Sequence, residues 1–311
     1  MQAIYMGQAY GYEAVFQSPE PKTQKEIIEM NTLHAMGTIE YVNESDVPPG
    51  TTLLPIKFTY KCKFGSNGEE VCKKARACAR GDLQSRDEYS ETFAPTSRFN
   101  ALRCLISIAA REDMKLMQFD IKGAFMISKI EDQDIYVSLP DGYGAPAGQV
   151  AKLARSLYGL RDSAFRYHRT ISTWLKDYGF EALDADATMF RLTNNKDIML
   201  LSLHVDDGLV AHNNDEMYAE FIKALSDKFE LSSADSEVKW YLGISISRDY
   251  EKGLISPSQK QYIKDMLKRF KMEDTKPSPT HIEQMLGRLM YTVAWTAPEC
   301  AHAVSQCARY M

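Results

Sequence analysis

The sequence contains no apolar run approaching the ~18 residues that a membrane-spanning helix needs, no secretory leader and no lipidation motif. Nothing in it points to secretion or to a membrane. Cysteine is scarce. The six present, Cys62, Cys72, Cys78, Cys104, Cys300 and Cys307, show no CxxC spacing, so they read as free thiols in a reducing compartment rather than as a disulfide framework. Histidine is equally thin: six residues, scattered, with His281 and Glu283 lacking the second histidine that zinc spacing requires. There is no GxSxG and no Walker A sequence, which removes nucleophile-elbow hydrolases and P-loop enzymes. Internal repeats and low-complexity tracts are missing too. Neither sign of charge dominates: 37 Lys and Arg face 42 Asp and Glu, for a net charge of −5. That balance argues against a protein-wide polyanion-binding surface, although an average hides local patches.

What is there has the composition of a globular chain, 44% hydrophobic and 25% charged over 311 residues, enough for one large domain or two ordinary ones. The first 20 or so residues lack clear periodicity. "TQKEIIEMNTLHAMG" predicts a helix, with Thr23 and Glu26 as a capping box, Ile27, Ile28 and Leu33 on one apolar face, and Gly37 at its end. "LPIKFTYKCKF" and "EEVCKKARACAR", joined by "GSNG", predict a hairpin. "NALRCLISIAARED" is an amphipathic helix with Leu102, Leu105, Ile106 and Ala109 aligned. "KLMQFDIK" reads as a strand running into a turn, and "SAFRYHRTISTWLKDYG" as a helix ending at Gly179. "DATMFRL", "DIMLLSLHV" and "KWYLGISI" read as strands. "NDEMYAEFIKALSDKFE" predicts a helix behind an Asn cap, "QKQYIKDMLKRF" another, and residues 281–294 and 297–310 two more. Strands mixed with helices, without strict βαβ alternation, predict an α+β fold.

Two acids adjoin at "HVDDG", residues 204–208, at the end of the apolar run "DIMLLSLHVDDG". Asp-Asp-Gly between apolar strands is a tight-turn signal, which would put Asp206 and Asp207 at the exposed tip of a hairpin. Taken alone this is an ordinary polar turn. "MQFDIKGAF" places a further acid, Asp120, at the end of another apolar strand. Strand-end acids far apart in sequence can converge in space, and a divalent cation makes such convergence tolerable. Mg²⁺ prefers oxygen ligands and keeps positions for substrate phosphates, and two such ions can activate an attacking hydroxyl and stabilise a leaving pyrophosphate. Spacing alone leaves both readings open. Residues 56–80 carry Lys57, Lys61, Lys63, Lys73, Lys74, Arg76 and Arg80 against only Glu69 and Glu70. This is either a solvated basic face or a site for a triphosphate or nucleic-acid backbone. Lys260, Lys264 and Lys268 form a stripe at helical spacing, opposite Ile263, Met266, Leu267 and Phe270, which either tracks a phosphate backbone or faces water.

In order and spacing these segments resemble the reverse transcriptase domain of a copia-type (Pseudoviridae-like) LTR retrotransposon Pol polyprotein, from about residue 24 onward. "ETFAPTSRFNALRCLISIAA" is similar to the stretch before the first catalytic acid, and "QFDIKGAF" to motif A. "IYVSLPDGY" resembles the segment that the family writes I-Y-M-x-x-P-x-G-[FY]. "KLARSLYGLRDSAFRYH" is similar to motif B and "LHVDDGLVA" to motif C, while "WYLGISISRD" and "LISPSQKQYIKDMLKRFKMEDTKP" resemble the strands and helix that follow. Any one of these is weak, and their number and order together are specific.

The resemblance implies a right-hand polymerase of fingers, palm and thumb, with an antiparallel palm sheet backed by helices. Residues 1–22 would be an N-terminal extension, 23–113 mainly fingers, 114–250 palm with part of the fingers, and 251–311 thumb and the start of a shortened connection. It implies RNA-directed DNA synthesis, with dNTPs added to a primer 3′-OH on an RNA or DNA template by two ions of Mg²⁺ or Mn²⁺. Carried over by position, Asp120, Asp206 and Asp207 are the catalytic acids and metal ligands, with the Ile121 carbonyl a further ligand. Phe125 falls at the steric gate against a 2′-OH. Lys74, Arg76 and Arg80 match the basic fingers stretch, Arg76 foremost for the triphosphate, and Tyr158, Gly159 and Leu160 match motif B, which supports the templating base and nucleotide pocket. Lys260, Lys264 and Lys268 would meet nucleic acid. The implied partners are template-primer, dNTPs and, in the parent element, an RNase H and an integrase. The implied location is a cytoplasmic particle with later nuclear entry.

The sequence departs from the family pattern at several points. Arg161-Asp162 follows "YGL" where the family has Lys-Gln, and a carboxylate near a triphosphate should repel it. Ala164 replaces a Pro or Gly, His204 replaces the usual Tyr at the start of motif C, and the linker after "KPSPT" is short, with the chain stopping before an RNase H domain would begin. These features support an alternative expectation: a degenerate relic that keeps the fold, and with it weak nucleic-acid binding, but little or no activity. A palm-type nucleotidyltransferase of another kind would account for the acids, but not for "SLYGL" or the basic stretch.

Overall fold

The computed structural model describes residues 4–5, 14–15, 24–64, 70–86, 89, 91–233, 237–270 and 291–293. In chain order its elements are β1 (Ile4–Tyr5), β2 (Ala14–Val15), α1 (Gln24–Ala35), β3 (Ile39–Asn43), β4 (Leu54–Phe64) and β5 (Glu70–Ala79). There follow α2 (Phe99–Arg111), β6 (Lys115–Ile121), α3 (Ala124–Ile127), β7 (Tyr136–Ser138), β8 (Gln149–Leu153) and α4 (Ser163–Tyr178). The remainder comprises β9 (Glu181–Leu183), β10 (Asp186–Asn194), β11 (Asp197–His204), β12 (Asp207–His212), α5 (Asp215–Lys228), β13 (Leu231–Ser233), β14 (Trp240–Tyr241), β15 (Ile244–Asp249), β16 (Leu254–Ser258) and α6 (Lys260–Arg269). Helices and largely antiparallel sheets make the chain α+β, as expected. The helix expected over 297–310, most of the one over 281–294, the "GSNG" turn and Thr23 lie outside the described residues.

The chain divides into two compact units, each drawn from two segments: residues 1–95 with 121–179, and residues 96–120 with 180–311. In the first, a five-stranded sheet runs in the order β3-β8-β7-β4-β5, antiparallel except where β4 meets β7. Its core includes Met30, Leu33, Ile56, Ala77, Leu153 and Leu157. The helix α1 is turned differently from the sequence expectation. It buries Glu26, Met30 and Leu33 and leaves Ile27 and Ile28 exposed. The reason lies at the sheet edge. β5 is an edge strand, whose outward N–H groups need acceptors. Glu29 accepts the Ala77 N–H at 3.2 Å, and the Tyr60 hydroxyl donates to Glu26. These bonds turn the carboxylate face of the helix inward, with Glu26 accepting from Tyr60.

In the second unit a six-stranded sheet runs β13-β6-β12-β11-β10-β9, every neighbouring pair of known register antiparallel. On one face α2 buries Leu102, Leu105, Ile106 and Ala109, the predicted stripe, against Leu116, Leu209 and Ala211. Phe119 sits at alternate register and meets Phe221 of α5, ring centroids 6.0 Å apart, with Phe180 5.2 Å from Phe221. The Asn214 cap is as predicted: its side chain accepts the Met217 N–H at 3.0 Å. "KWYLGISI" is a hairpin rather than one strand. Leu242 and Gly243 both take positive φ, 47° and 79°, between β14 and β15, the geometry of a two-residue primed turn.

His212 is fully buried on the last residue of β12. It stacks on Tyr218 at 4.6 Å and its Nδ1 donates to the Asn214 carbonyl at 2.9 Å. Burial holds the imidazole below its ordinary value of 6.5, outweighing the Asn214 hydrogen bond and Asp215, which oppose it, while Lys115 adds to it. The unfolded chain therefore takes up a proton that the folded chain resists, and stability is lost as pH falls below the unfolded value. His212→Gln should flatten the decline in melting temperature between about pH 7 and pH 5.5, measured by thermal melts across that range.

Candidate active site

The acid-bearing hairpin is built from β11, nearly all buried from Met199 to Leu203, and β12, buried from Gly208 onward. His204 pairs with Asp207 across a loop of only Val205 and Asp206. The turn is thus one residue earlier than Asp-Asp-Gly suggests. Asp206 lies in the loop, Asp207 opens β12, and both are half-buried rather than at an exposed tip. A two-residue primed turn needs positive φ at its first residue. Here Val205 supplies it at 56°, at a cost of about 1–3 kcal/mol for a β-branched side chain. Gly208 is a strand residue. A Cβ on it would lie 2.1 Å from the ring of Phe119, its register partner.

Asp120 lies directly opposite Asp207 across the β6–β12 ladder. Residues directly opposite share a face, so the two carboxylates stand side by side, about 5 Å apart at their Cβ atoms. On the far side of Asp120, the Ser232 hydroxyl of β13 donates to Asp120 Oδ1. The Tyr241 hydroxyl approaches the Asp207 carbonyl at 3.5 Å. A row therefore crosses four strands: Ser232, Asp120, Asp207, His204. Burial lowers the His204 pKa, and its Nδ1 has no hydrogen-bond partner. Ile121 ends β6 with its side chain buried. Among the described residues no Lys or Arg pairs with Asp120, and no three His, Cys, Asp or Glu side chains close on one point. The acids form an open row rather than a cage. Such a row suits a cation that takes one or two carboxylates and keeps water or phosphate oxygens for its remaining positions. Sequence reasoning missed Ser232 and Tyr241, because a lone hydroxyl carries no pattern.

In the other unit, most of the expected nucleotide residues come together. β5 alternates, with Ala75, Ala77 and Ala79 buried while Lys74 and Arg76 face away from that core. Lys74 is exposed and directly opposite Lys61. The Arg76 guanidinium lies 5.2 Å from the centre of the Tyr158 ring, and Phe125 meets Tyr158 edge-on at 5.1 Å. The Ala79 N–H donates to the Tyr158 carbonyl at 2.8 Å. A Cβ on Gly159, whose φ is 91°, would fall 2.2 Å from the Ala79 carbonyl oxygen, and one on Gly81 2.1 Å from the Gly159 oxygen. The two segments thus touch backbone to backbone, which only glycine permits. Leu160 is buried beneath them. Arg80 is already engaged, giving two hydrogen bonds to the Asp82 carboxylate, from Nε at 2.7 Å and Nη2 at 2.5 Å.

Asp162 does not stand as an open carboxylate. It is 2% exposed and pairs with Arg166 Nε at 2.7 Å, while Arg166 also grips Asp132. Gln133 donates to Asp162 as well, at 3.4 Å. The expected repulsion of a triphosphate is therefore replaced by a structural ion pair. Asp162→Gln should lower stability by roughly 1–3 kcal/mol by removing a buried partner of Arg166. It should leave any affinity for a triphosphate unchanged, as binding and melting measurements together would check. Lys260, Lys264 and Lys268 are all exposed along one edge of α6. The residues buried on its other side are Tyr262 and Met266, with Ile263, Leu267 and Phe270 only half-buried.

A family model described as reverse transcriptase (RNA-dependent DNA polymerase) matches residues 41–284. The chain belongs to the reverse transcriptase family. The copia-type resemblance of its motifs agrees with the relatives found. The chain is 27% identical to the Retrovirus-related Pol polyprotein from transposon TNT 1-94 of Nicotiana tabacum, over 96% of this chain and 26% of that protein. It is 28% identical to the one from transposon RE1 of Arabidopsis thaliana, over 85% of this chain and 19% of that protein. Identity to the Transposon Ty1-LR2 Gag-Pol polyprotein of Saccharomyces cerevisiae is 25%, over 74% of this chain and 13% of that protein. This reverse transcriptase family member thus spans a quarter or less of most of these polyproteins' length. Among solved structures, a foamy viral protease-reverse transcriptase in complex with ds DNA aligns with 96% of this chain and 47% of its own, at 10% identity and a TM-score of 0.48.

Proposed function

We propose that this chain is an RNA-directed DNA polymerase module, extending a primer 3′-OH with dNTPs by two-metal-ion catalysis. The observation that carries the reading is the register of Asp207 on Asp120, with Asp206 in the adjoining two-residue turn. Three carboxylates at neighbouring strand ends repel one another unless cations offset them. Asp120, Asp206 and Asp207, with the Ile121 carbonyl, would hold two Mg²⁺ or Mn²⁺ ions. When bound, such ions acidify the attacking hydroxyl and neutralise charge on the phosphates. The strained, hydrogen-bonded hairpin fixes where the acids point, so little reorganisation is left for the reaction itself.

Each remaining role rests on its own local geometry. Arg76, held over Tyr158, and Lys74, directly opposite Lys61, are cations that would attract a triphosphate, in competition with Glu29. Arg80 would contribute only by leaving Asp82. Phe125, braced by Tyr158, would lie against the sugar and reject a 2′-OH, with Gly159 setting the path of that support. Lys260, Lys264 and Lys268 would follow the template-primer backbone. Residues 23–113 would be mainly fingers, 114–250 palm with part of the fingers, and 251–311 thumb and the start of the connection. The burial of Asp162 against Arg166 supports an active enzyme over a relic, because that carboxylate no longer opposes a triphosphate.

The test is primer extension by the purified chain on poly(rA) with an oligo(dT) primer and Mg²⁺ or Mn²⁺, with Asp206→Asn as control. Synthesis lost in the control supports the reading. No synthesis from a cooperatively melting wild-type protein refutes it in favour of the relic. On the same substrate, Phe125→Val should raise rNTP use relative to dNTP by about tenfold or more, and an unchanged ratio would remove Phe125 from the sugar site.

A further inference from the structure

We propose that Ser232 is a positioning residue for Asp120, setting the affinity of the acid row for its cation; this rests on the metal-holding role proposed above. Asp120 lies between two unlike neighbours. On one side is the like-charged Asp207, directly opposite in the ladder. On the other is β13, the edge strand next to β6, whose Ser232 hydroxyl donates to Asp120 Oδ1 and also approaches the Asp120 carbonyl at 3.5 Å. Without an anchor, repulsion from Asp207 would let the Asp120 carboxylate sample several rotamers, and a cation would have to order it on binding. The hydroxyl takes up one oxygen and leaves Oδ2 for the metal. A neutral donor does this without competing with the cation, as an ammonium or guanidinium would. Ser232 is exposed, so its hydroxyl fills no core space, and both bonds recorded for its hydroxyl run to Asp120. Partners that orient a metal-binding carboxylate typically change affinity or activity about 10–100-fold when removed.

The experiment uses the full chain and Mn²⁺ as the probe, with free Mn²⁺ followed by electron paramagnetic resonance in the absence of nucleic acid. Ser232→Ala should weaken Mn²⁺ binding about tenfold and Ser232→Thr, which keeps the hydroxyl, should retain it. In primer extension the half-saturating Mg²⁺ concentration should rise by a similar factor for Ser232→Ala, with the dNTP KM unmoved. A merely structural serine would lower the melting temperature and leave Mn²⁺ affinity in place, which would overturn the proposal. Asp120→Asn separates the two levels. If Asp120→Asn weakens Mn²⁺ binding and Ser232→Ala does not, the role of Ser232 alone is overturned. If Asp120→Asn binds Mn²⁺ like the wild type, the metal role of Asp120 falls and the role of Ser232 falls with it.

Discussion

Asp120→Asn should reduce primer extension by on the order of 10³-fold while the melting temperature stays level or rises. The two effects have one cause. Asp120 and Asp207 face each other on adjacent strands, and like charges directly opposite are destabilising. Removing one charge relieves that repulsion, so the fold gains. Asparagine keeps the shape and still accepts the Ser232 hydroxyl, so a collapse of local structure does not confound the result. What is lost, on the metal-holding role proposed above, is the negative oxygen that a divalent cation requires. A factor of 10³ corresponds to about 4 kcal/mol of transition-state stabilisation. Single-turnover extension and calorimetry on the same preparation would check both halves. An Asn variant with near-normal extension would take Asp120 out of the chemistry. A large fall in melting temperature would mean that the carboxylate was a structural partner.

Gly208→Ala should unfold or severely weaken the second unit, although glycine to alanine usually strengthens a strand. The added Cβ would sit 2.1 Å from the Phe119 ring. That ring is 1% exposed and held against Phe221, so it has no room to withdraw. Overpacking of this kind typically costs about 1–3 kcal/mol, and more where the neighbour is rigid. The melting temperature should fall by roughly 2–4 °C for each kcal/mol lost. Because Asp207 precedes Gly208, any shift of the strand also displaces the acids, and extension should fall with stability. Phe119→Leu should partly rescue Gly208→Ala, a non-additivity expected only of residues in contact. Additive losses in the double variant would show that the glycine is needed for another reason.

The same glycine explains why the sequence misplaced the turn. Asp-Asp-Gly reads as turn chemistry, yet the glycine serves a ring on the neighbouring strand, and the positive φ falls on Val205 instead. Apolar periodicity was legible where burial alone decides orientation, as in α2. It failed in α1, where Ala77 N–H and the Tyr60 hydroxyl drew the carboxylates inward and left Ile27 and Ile28 in water. Leu242 at positive φ gave no sign of itself, although the following Gly243 did. Asp120 was legible as an acid at a strand end, and Asp206 and Asp207 as an acid pair at a hairpin, though one residue off in the turn. Their register was not, because a ladder pairing depends on both strands. Asp162 was legible as a charge, and its partner Arg166 stands four residues on, at the spacing for a helical ion pair. Ser232 was not legible at all: the bond that singles it out spans 112 residues.

The backbone contact of Gly159 with Ala79 and Gly81 has a kinematic consequence. Arg76 sits on one of the two joined segments and Tyr158 on the other, and carbonyl groups meet there with no side chain between them to act as a bearing. Neither segment can slide or tilt past the other. Any movement of this part of the first unit carries the cation and the aromatic beneath it as one lever, with no adjustable joint between charge and ring.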